Sequence, residues 1–355
     1  MDLENLKPFM AMVGVDFGYA VVNILMEAAL SHGMNHLTLI TYRLCIASIS
    51  LGPIAYFYER DGRGKLSFRI LSYLFLSSIL GASLTQYCFL LGIEHTSATF
   101  ACAFLNMIPV ATFLMALLFR LEKVKLKSNS GKAKMLGTVI CISGAVLLIT
   151  FKGPALANGS YVAKKAAAAA VKKTNQTLGC IALVVGTLLW SSWFLLQSKI
   201  GKRYPYEYSS TAIMSFFGAA QSAVFSLSTG ATLSSWALHG NIQIITVVYS
   251  GMIGSGLCVV GTSWCVKKRG PVFTAAFNPL VQIIAGMFDI PFFHDPLYLG
   301  NVLGSLMVII GLYILLWGKS QEMEGSVSKV VAMDQITTTA AEDCEIKEFK
   351  HDDNP

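Results

Sequence analysis

The chain has 355 residues, 54% of them hydrophobic and 13% charged, with 27 Lys and Arg against 20 Asp and Glu. An ordinary soluble domain carries roughly 25% charged residues, and a mean hydropathy of +0.59 is more apolar surface than a water-soluble fold can hide. The apolar residues arrive in blocks of about 20, the length a helix needs to cross the hydrocarbon layer, so the composition predicts an all-α membrane protein.

In chain order the predicted spans cover residues 9–30, 37–58, 70–91, 97–119, 134–151, 177–199, 208–229, 241–266, 271–293 and 297–317. The first block is too long for a signal peptide and has no small-residue cleavage pattern, so it is expected to remain as span 1. Ten spans put both termini on one side. With the amino terminus in the cytosol, 21 of the 27 Lys and Arg fall on the inner side, as the retention of positive flanks requires. The expected organisation is a short cytosolic segment 1–8, a first five-span unit 9–151, a non-cytosolic loop 152–176, a second unit 177–317 and a disordered, acidic cytosolic tail 318–355. The loop runs against the charge rule with Lys152, Lys164, Lys165, Lys172 and Lys173, and it carries the sequons Asn158-Gly-Ser160 and Asn175-Gln-Thr177, which are modified only outside the cytosol.

The two units repeat. Span 5 reads Gly137-TVICIS-Gly144 and span 10 reads Gly304-SLMVII-Gly311, an offset of 167; span 4 carries Phe104-Leu-Asn106-Met-Ile-Pro109 and span 9 carries Phe277-Asn278-Pro279, with the prolines offset by 170. Five is odd, so the second copy must enter the membrane in the opposite sense. Inverted pairs of this kind place a solute site near the bilayer midplane.

No Walker loop, HExxH, GxSxG or Cys/His cluster is present, so neither an enzyme nor a cofactor is expected, and nothing points to nucleic acid. The cysteines have no paired spacing and are read as reduced core residues. Chemistry is therefore sought in polar residues within spans, which are costly in lipid and face an interior or a wet cavity: Asp16, Asn23, Glu27, Arg43, Gln86, Asn106, Gln197, Gln221, Asn278, Gln282 and Asp289. For the amides, helix-to-helix hydrogen bonding is the alternative use. Trp190 and Trp193 lie deep in span 6, where they can wall a cavity or fill a core. Pro109 and Pro279 each remove a mid-span backbone hydrogen bond. Glu59, Arg60, Arg120 and Glu122 sit at the inner ends of spans 2 and 4, where an ion-pair gate is expected. Arg43 lies roughly 9 Å below the outer edge at 1.5 Å per residue, placed either to pair with Glu27 or to receive a carboxylate.

The stretches Pro53-IAYFYE-Arg60, Thr96-SATFACAFLNMIP-Val110, Phe119-RLEKV-Lys125, Gly261-TSWCVKKRGPVF-Thr274 and Gly311-LYILLWG-Lys319 resemble the plant nodulin-like, Walls-Are-Thin-related transporters. These belong to the drug/metabolite transporter superfamily, carry two EamA domains each, and include members nicknamed UMAMITs. The resemblance implies ten transmembrane helices in two inverted five-helix EamA repeats, carrying amino acids as a facilitator or exporter by alternating access, or else auxin or another organic anion. It implies the plasma membrane, with the vacuolar membrane as the alternative. A non-transporting receptor or scaffold is the reading from another class. The chain departs from the family in having Asp16 where Gln is frequent and Glu27 where Lys is frequent. Flux is expected to need neither ATP nor a proton gradient, Asp16 being the main exception.

Overall fold

The computed structural model describes residues 3–60, 66–95, 104–121, 128–151, 176–229 and 240–281, with scattered positions between these segments and through 299–321. Among the described residues every regular element is a helix. Span 1 is Leu3–Ser31, span 2 His36–Tyr58, span 5 Asn129–Thr150, span 6 Gln176–Arg203 and span 7 Glu207–Ser228. Span 3 is built of Phe68–Ser78, a π-helical segment Ile79–Leu84 and Thr85–His95. Span 8 repeats that plan with Asn241–Tyr249, a π-helical segment Ser250–Cys258 and Val259–Arg269. Spans 4 and 9 are represented by Phe104–Leu118 and Pro271–Val281, shorter than the six helices long and apolar enough to cross a membrane.

Large apolar side chains stand outward along the helices, among them Ile49, Val224 and Leu306, because the surrounding solvent is hydrocarbon and hiding them from it gains nothing. With no hydrophobic force to gather helices in lipid, association depends on close contact and on small residues that permit it. Span 1 packs on span 8, span 3 on span 6, and span 2 on span 7. A Cβ on Gly18 would lie 2.8 Å from Cys258 Sγ, and one on Gly186 would lie 3.3 Å from Cys88 Cβ; likewise Gly261 abuts Val15 at 2.7 Å and Gly92 abuts Leu183 at 2.4 Å. In both cases the second contact is the first moved by 168 to 170 positions with the repeats exchanged. The internal duplication is thus visible in the contacts as well as in the glycine spacing. Spans 5 and 10 cross where their backbones nearly touch: a Cβ on Gly137 would sit 2.5 Å from Gly311 O, and one on Gly311 2.7 Å from Gly137 O.

Contacts at the chain turns fix the alternation of the spans. One end gathers Lys199 over Phe119 at 5.8 Å, Arg203 over Tyr73 at 5.3 Å, Ser130 Oγ on Gly318 O at 2.6 Å, and the Cys265 thiol on Pro8 O at 3.7 Å. We call this the basic end, since it also carries Arg60, Lys202 and Lys267 to Arg269. The opposite end is tied by Thr246 Oγ1 to Leu25 O at 3.0 Å and by Tyr42 Oη to Trp236 O at 2.7 Å. Starting from the residues at each turn, span 1 therefore begins, and span 10 finishes, at the basic end.

Candidate functional site

Both fourth helices of the repeats break just before a proline. In span 4 the backbone turns at Met107, whose N–H reaches Phe104 O at 3.0 Å, and helix resumes as Ile108–Leu118 with Pro109 in its first turn. In span 9 the helix Pro271–Ala275 gives way to a turn at Ala276 and Phe277, and helix resumes at Asn278 with Pro279 beside it. A proline is tolerated in a first turn because the N–H it lacks has no intrahelical partner there. Hydroxyls of span 6 bond to carbonyls around the first break, Thr187 Oγ1 to Phe104 O and Ser191 Oγ to Ile108 O, each at 3.4 Å. Interrupted helices at membrane depth are tolerated where the backbone is buried in protein or lines a cavity. The π segments of spans 3 and 8 each bring a glycine against a neighbouring span: Gly81 lies against the Trp193 indole, and Gly254 against Val22.

Around this middle zone the two repeats present different chemistry. On the side of spans 1, 2 and 8, Asp16 is 1% exposed and its Oδ2 has no hydrogen-bond partner. Tyr19, one turn further along, lies beside Thr262, Arg43 and Asp16. Arg43 gives Nη1 to Met26 Sδ at 3.4 Å, and its buried Nε has no partner. On the side of spans 3, 6 and 7, Trp190 and Trp193 have buried Nε1 atoms without acceptors. Gln197 Nε2 and Ser77 Oγ both donate to the thioether of Met214, at 3.4 and 3.2 Å, weak bonds because sulfur is a poor acceptor. Gln221 Oε1 accepts from Ser78 and Ser83 at 3.2 and 3.0 Å, leaving its Nε2 unmet. Asn278 Nδ2, at the second break, is also unmet.

Counted by role, the described orphans other than hydroxyls comprise five N–H donors, on Arg43, Trp190, Trp193, Gln221 and Asn278, and one carboxylate oxygen, on Asp16. Two indoles and a guanidinium cannot reverse their roles, so three of these donors stay donors whichever way the amide ends are assigned. A buried donor left unmet is costly.

Of the residues singled out from the sequence, Asp16, Arg43, Trp190, Trp193, Gln197 and Asn278 stand at this zone with the polar contacts just described. Asn106 is buried beside the first break and Gln86 is half-buried on span 3. Glu27 is exposed, and Arg43 is directed to Met26 and Tyr19. Gln282 and Asp289 lie outside the described residues. Tyr19 and Thr262 were missed; Tyr19 could have been found by its spacing of three from Asp16, which puts both on one helix face.

The gate expectation changes at Glu59. Its carboxylate takes the backbone N–H of Tyr208 on Oε1 at 3.0 Å and that of Ser209 on Oε2 at 2.9 Å. In place of the expected ion-pair network it caps the start of span 7, whose first-turn N–H groups lack intrahelical partners and carry the positive end of the helix dipole. Next to it, Lys267 Nζ meets Glu207 Oε1 at 2.7 Å and Pro205 O at 3.1 Å. Arg60 lies 5.9 Å over the Tyr56 ring, Arg120 is exposed with φ 54°, and Glu122 is outside the described residues.

Comparisons with known proteins agree with this geometry. A crystal structure of 13% identical sequence superposes with a TM-score of 0.63, covering 86% of this chain and 98% of its own, which shows a shared fold. Two WAT1-related proteins of Arabidopsis thaliana are each 44% identical, one over 94% of this chain and 93% of its own length, the other over 91% and 89%. A third is 42% identical over 95% of this chain. Residues 6–150 and 177–317 each match the EamA-like transporter family, and with two repeats related by exchanged contacts across the membrane middle, the chain belongs to that family of multi-pass membrane transporters.

Proposed function

We propose that the chain carries small organic solutes bearing a carboxylate, amino acids foremost, by alternating access between the two repeats. The donors of Arg43, Trp190 and Trp193, buried without acceptors, support this reading, because a carboxylate bound to a guanidinium gains charge-assisted, two-point hydrogen bonds. Asp16, on the same side of the zone as Arg43, suits a solute with a positive group as well, and so favours a zwitterion over a simple anion. The unmet Arg43 Nε also supports the second reading, an auxin-like organic anion. The basic end is assigned to the cytosol by the positive-inside rule, and the plasma membrane is the proposed site.

The test is radiotracer flux in proteoliposomes of the full chain, offered a panel of amino acids and auxin. Saturable flux of one or more amino acids, competed by other amino acids and little by auxin, is expected. Preference for auxin would move the assignment to the second reading. No flux of any carboxylate solute, from protein shown to be folded, would overturn both.

A further inference from the structure

We propose that Asp16 is a proton-binding site whose loading and release form a step of the transport cycle. The site is not exhausted by the solute contacts above. Asp16 sits in the middle of span 1, 1% exposed, within the packing of Met12, Val15, Cys258, Cys265 and Phe277. Among the described residues, spans 1, 8 and 9 offer only neutral groups at that place. Tyr19 on its own span is a phenol; span 8 brings the thiols of Cys258 and Cys265 and the Thr262 hydroxyl; span 9 brings Phe277. Span 2 brings Arg43, but its guanidinium is engaged with Met26 and lies next to Tyr19. Lys267, at the far end of span 8, is held by Glu207 and Pro205. The nearby hydroxyl is committed elsewhere too, since Thr262 Oγ1 donates to Cys258 O at 2.7 Å.

A carboxylate with an unmet oxygen and no cation turned to it among the described residues, enclosed by hydrocarbon and sulfur, is an expensive charge. A proton neutralises it without a counter-ion or any rearrangement. The enclosure is not permanent, because alternating access must open the middle zone to water on each side in turn, and Asp16 adjoins the π segment of span 8 through Gly18 and Cys258. When water reaches it the proton can leave, and when the site closes the charge must be quenched again. The uncoupled facilitation expected from the sequence is thereby replaced by a proton-linked cycle. The proton-binding half stands on geometry alone; the coupling half rests on the transport reading above.

Two measurements on the full chain in lipid separate these halves. Difference infrared spectroscopy of wild type against Asp16→Asn at neutral pH should show the C=O stretch of a protonated carboxyl that Asp16→Asn lacks and Asp16→Glu keeps at a shifted frequency. Absence of that difference overturns the proposal. Should Asp16→Asn fail to fold, deuterium sensitivity of the band in wild type and its displacement in Asp16→Glu decide the same question. In proteoliposomes, one proton per solute lets a gradient of one pH unit support about tenfold solute accumulation or depletion, an effect that Asp16→Asn should abolish and Asp16→Glu, which keeps a titratable carboxyl, should retain. A band with flux indifferent to the gradient overturns the coupling. A band with no flux of any solute upholds proton binding and overturns the carrier reading.

Discussion

The second helices of the two repeats start at opposite ends of the molecule and are capped by different means. Span 2 begins with Asn35, whose side chain takes the Leu37 N–H two residues on at 2.9 Å. Span 7 has no capping side chain of its own at Tyr206 and relies on Glu59, which lies 149 residues before Tyr208 in sequence. One helix start is self-sufficient and the other is completed only when span 2 docks. The scaffold is duplicated, while the chemistry laid on it has diverged: Asp16 and Arg43 in the first repeat have no charged counterparts among the described residues at the middle of the second, which supplies Trp190, Trp193 and Gln197.

The largest effect should come from the part the repeats share most closely. Gly311→Leu places side chain against the backbone of span 5, where even a Cβ meets Cys141 N and Gly137 O at 2.7 Å. Overpacking of a rigid contact costs about 3 kcal/mol, so folded, monodisperse yield should collapse, whereas Gly14→Ala, with nothing within 4 Å of its Cβ, should leave it unchanged. Near-normal yield of Gly311→Leu would show that spans 5 and 10 do not cross there.

The two caps give the next contrast. Glu59→Ala strips two N–H groups of their partner and removes a negative charge from a helix start, a loss of about 2 kcal/mol, against about 1 kcal/mol for Asn35→Ala. Thermal unfolding in detergent should order the variants that way. Since Glu59 also joins spans 2 and 7 at the basic end, Glu59→Gln should change flux at concentrations where Asn35→Ala does not. Equal flux in the two would reduce Glu59 to a structural role.

A smaller effect is expected inside the middle zone. Arg43→Lys keeps the charge and loses the planar fork, so uptake of a carboxylate solute should weaken roughly tenfold, about 1.4 kcal/mol, with the affinity for its uncharged ester little altered. Wild-type uptake in Arg43→Gln would remove Arg43 from the binding zone. Trp193→Phe deletes an unmet N–H with most of the ring retained; stability should hold and solute affinity fall a few-fold, the inverse of the pattern at Gly311.

The sequence made these contrasts legible unevenly, for physical reasons. Span positions follow from apolar run length, and the helices at 36–58, 207–228 and 241–269 begin within a residue of the predicted starts. The breaks in spans 4 and 9 were legible because a proline acts on its own chain. The Glu59 cap was not, because its partners are backbone N–H groups that any sequence possesses. Charge adjacency favoured Arg60 and Arg120, but two oriented N–H groups at a helix start make a better-fixed partner than a flexible cation. Nor could the π segments be read, since ILGASL and SGMIGSGLC are ordinary apolar strings in a membrane helix.

A π turn is what an α-helix becomes when it accommodates one surplus residue, which makes it a record of an insertion and a point where a deletion has a foreseeable result. Removing one residue from Ile79–Leu84 would let the segment close as α-helix while the helix beyond it keeps its face, because the wide turn has already absorbed the surplus residue. The same deletion in a plain α-helical stretch turns everything beyond it by about 100° and shifts it by about 1.5 Å. Phe89 would stay at Gly186, and Gly92 at Leu183, so the far half of span 3 would keep its face toward span 6. The same deletion in Ser250–Cys258 would leave Gly261 against Val15. A single-codon deletion scan should therefore find these two segments as narrow tolerant windows within otherwise intolerant spans, separated by about one repeat.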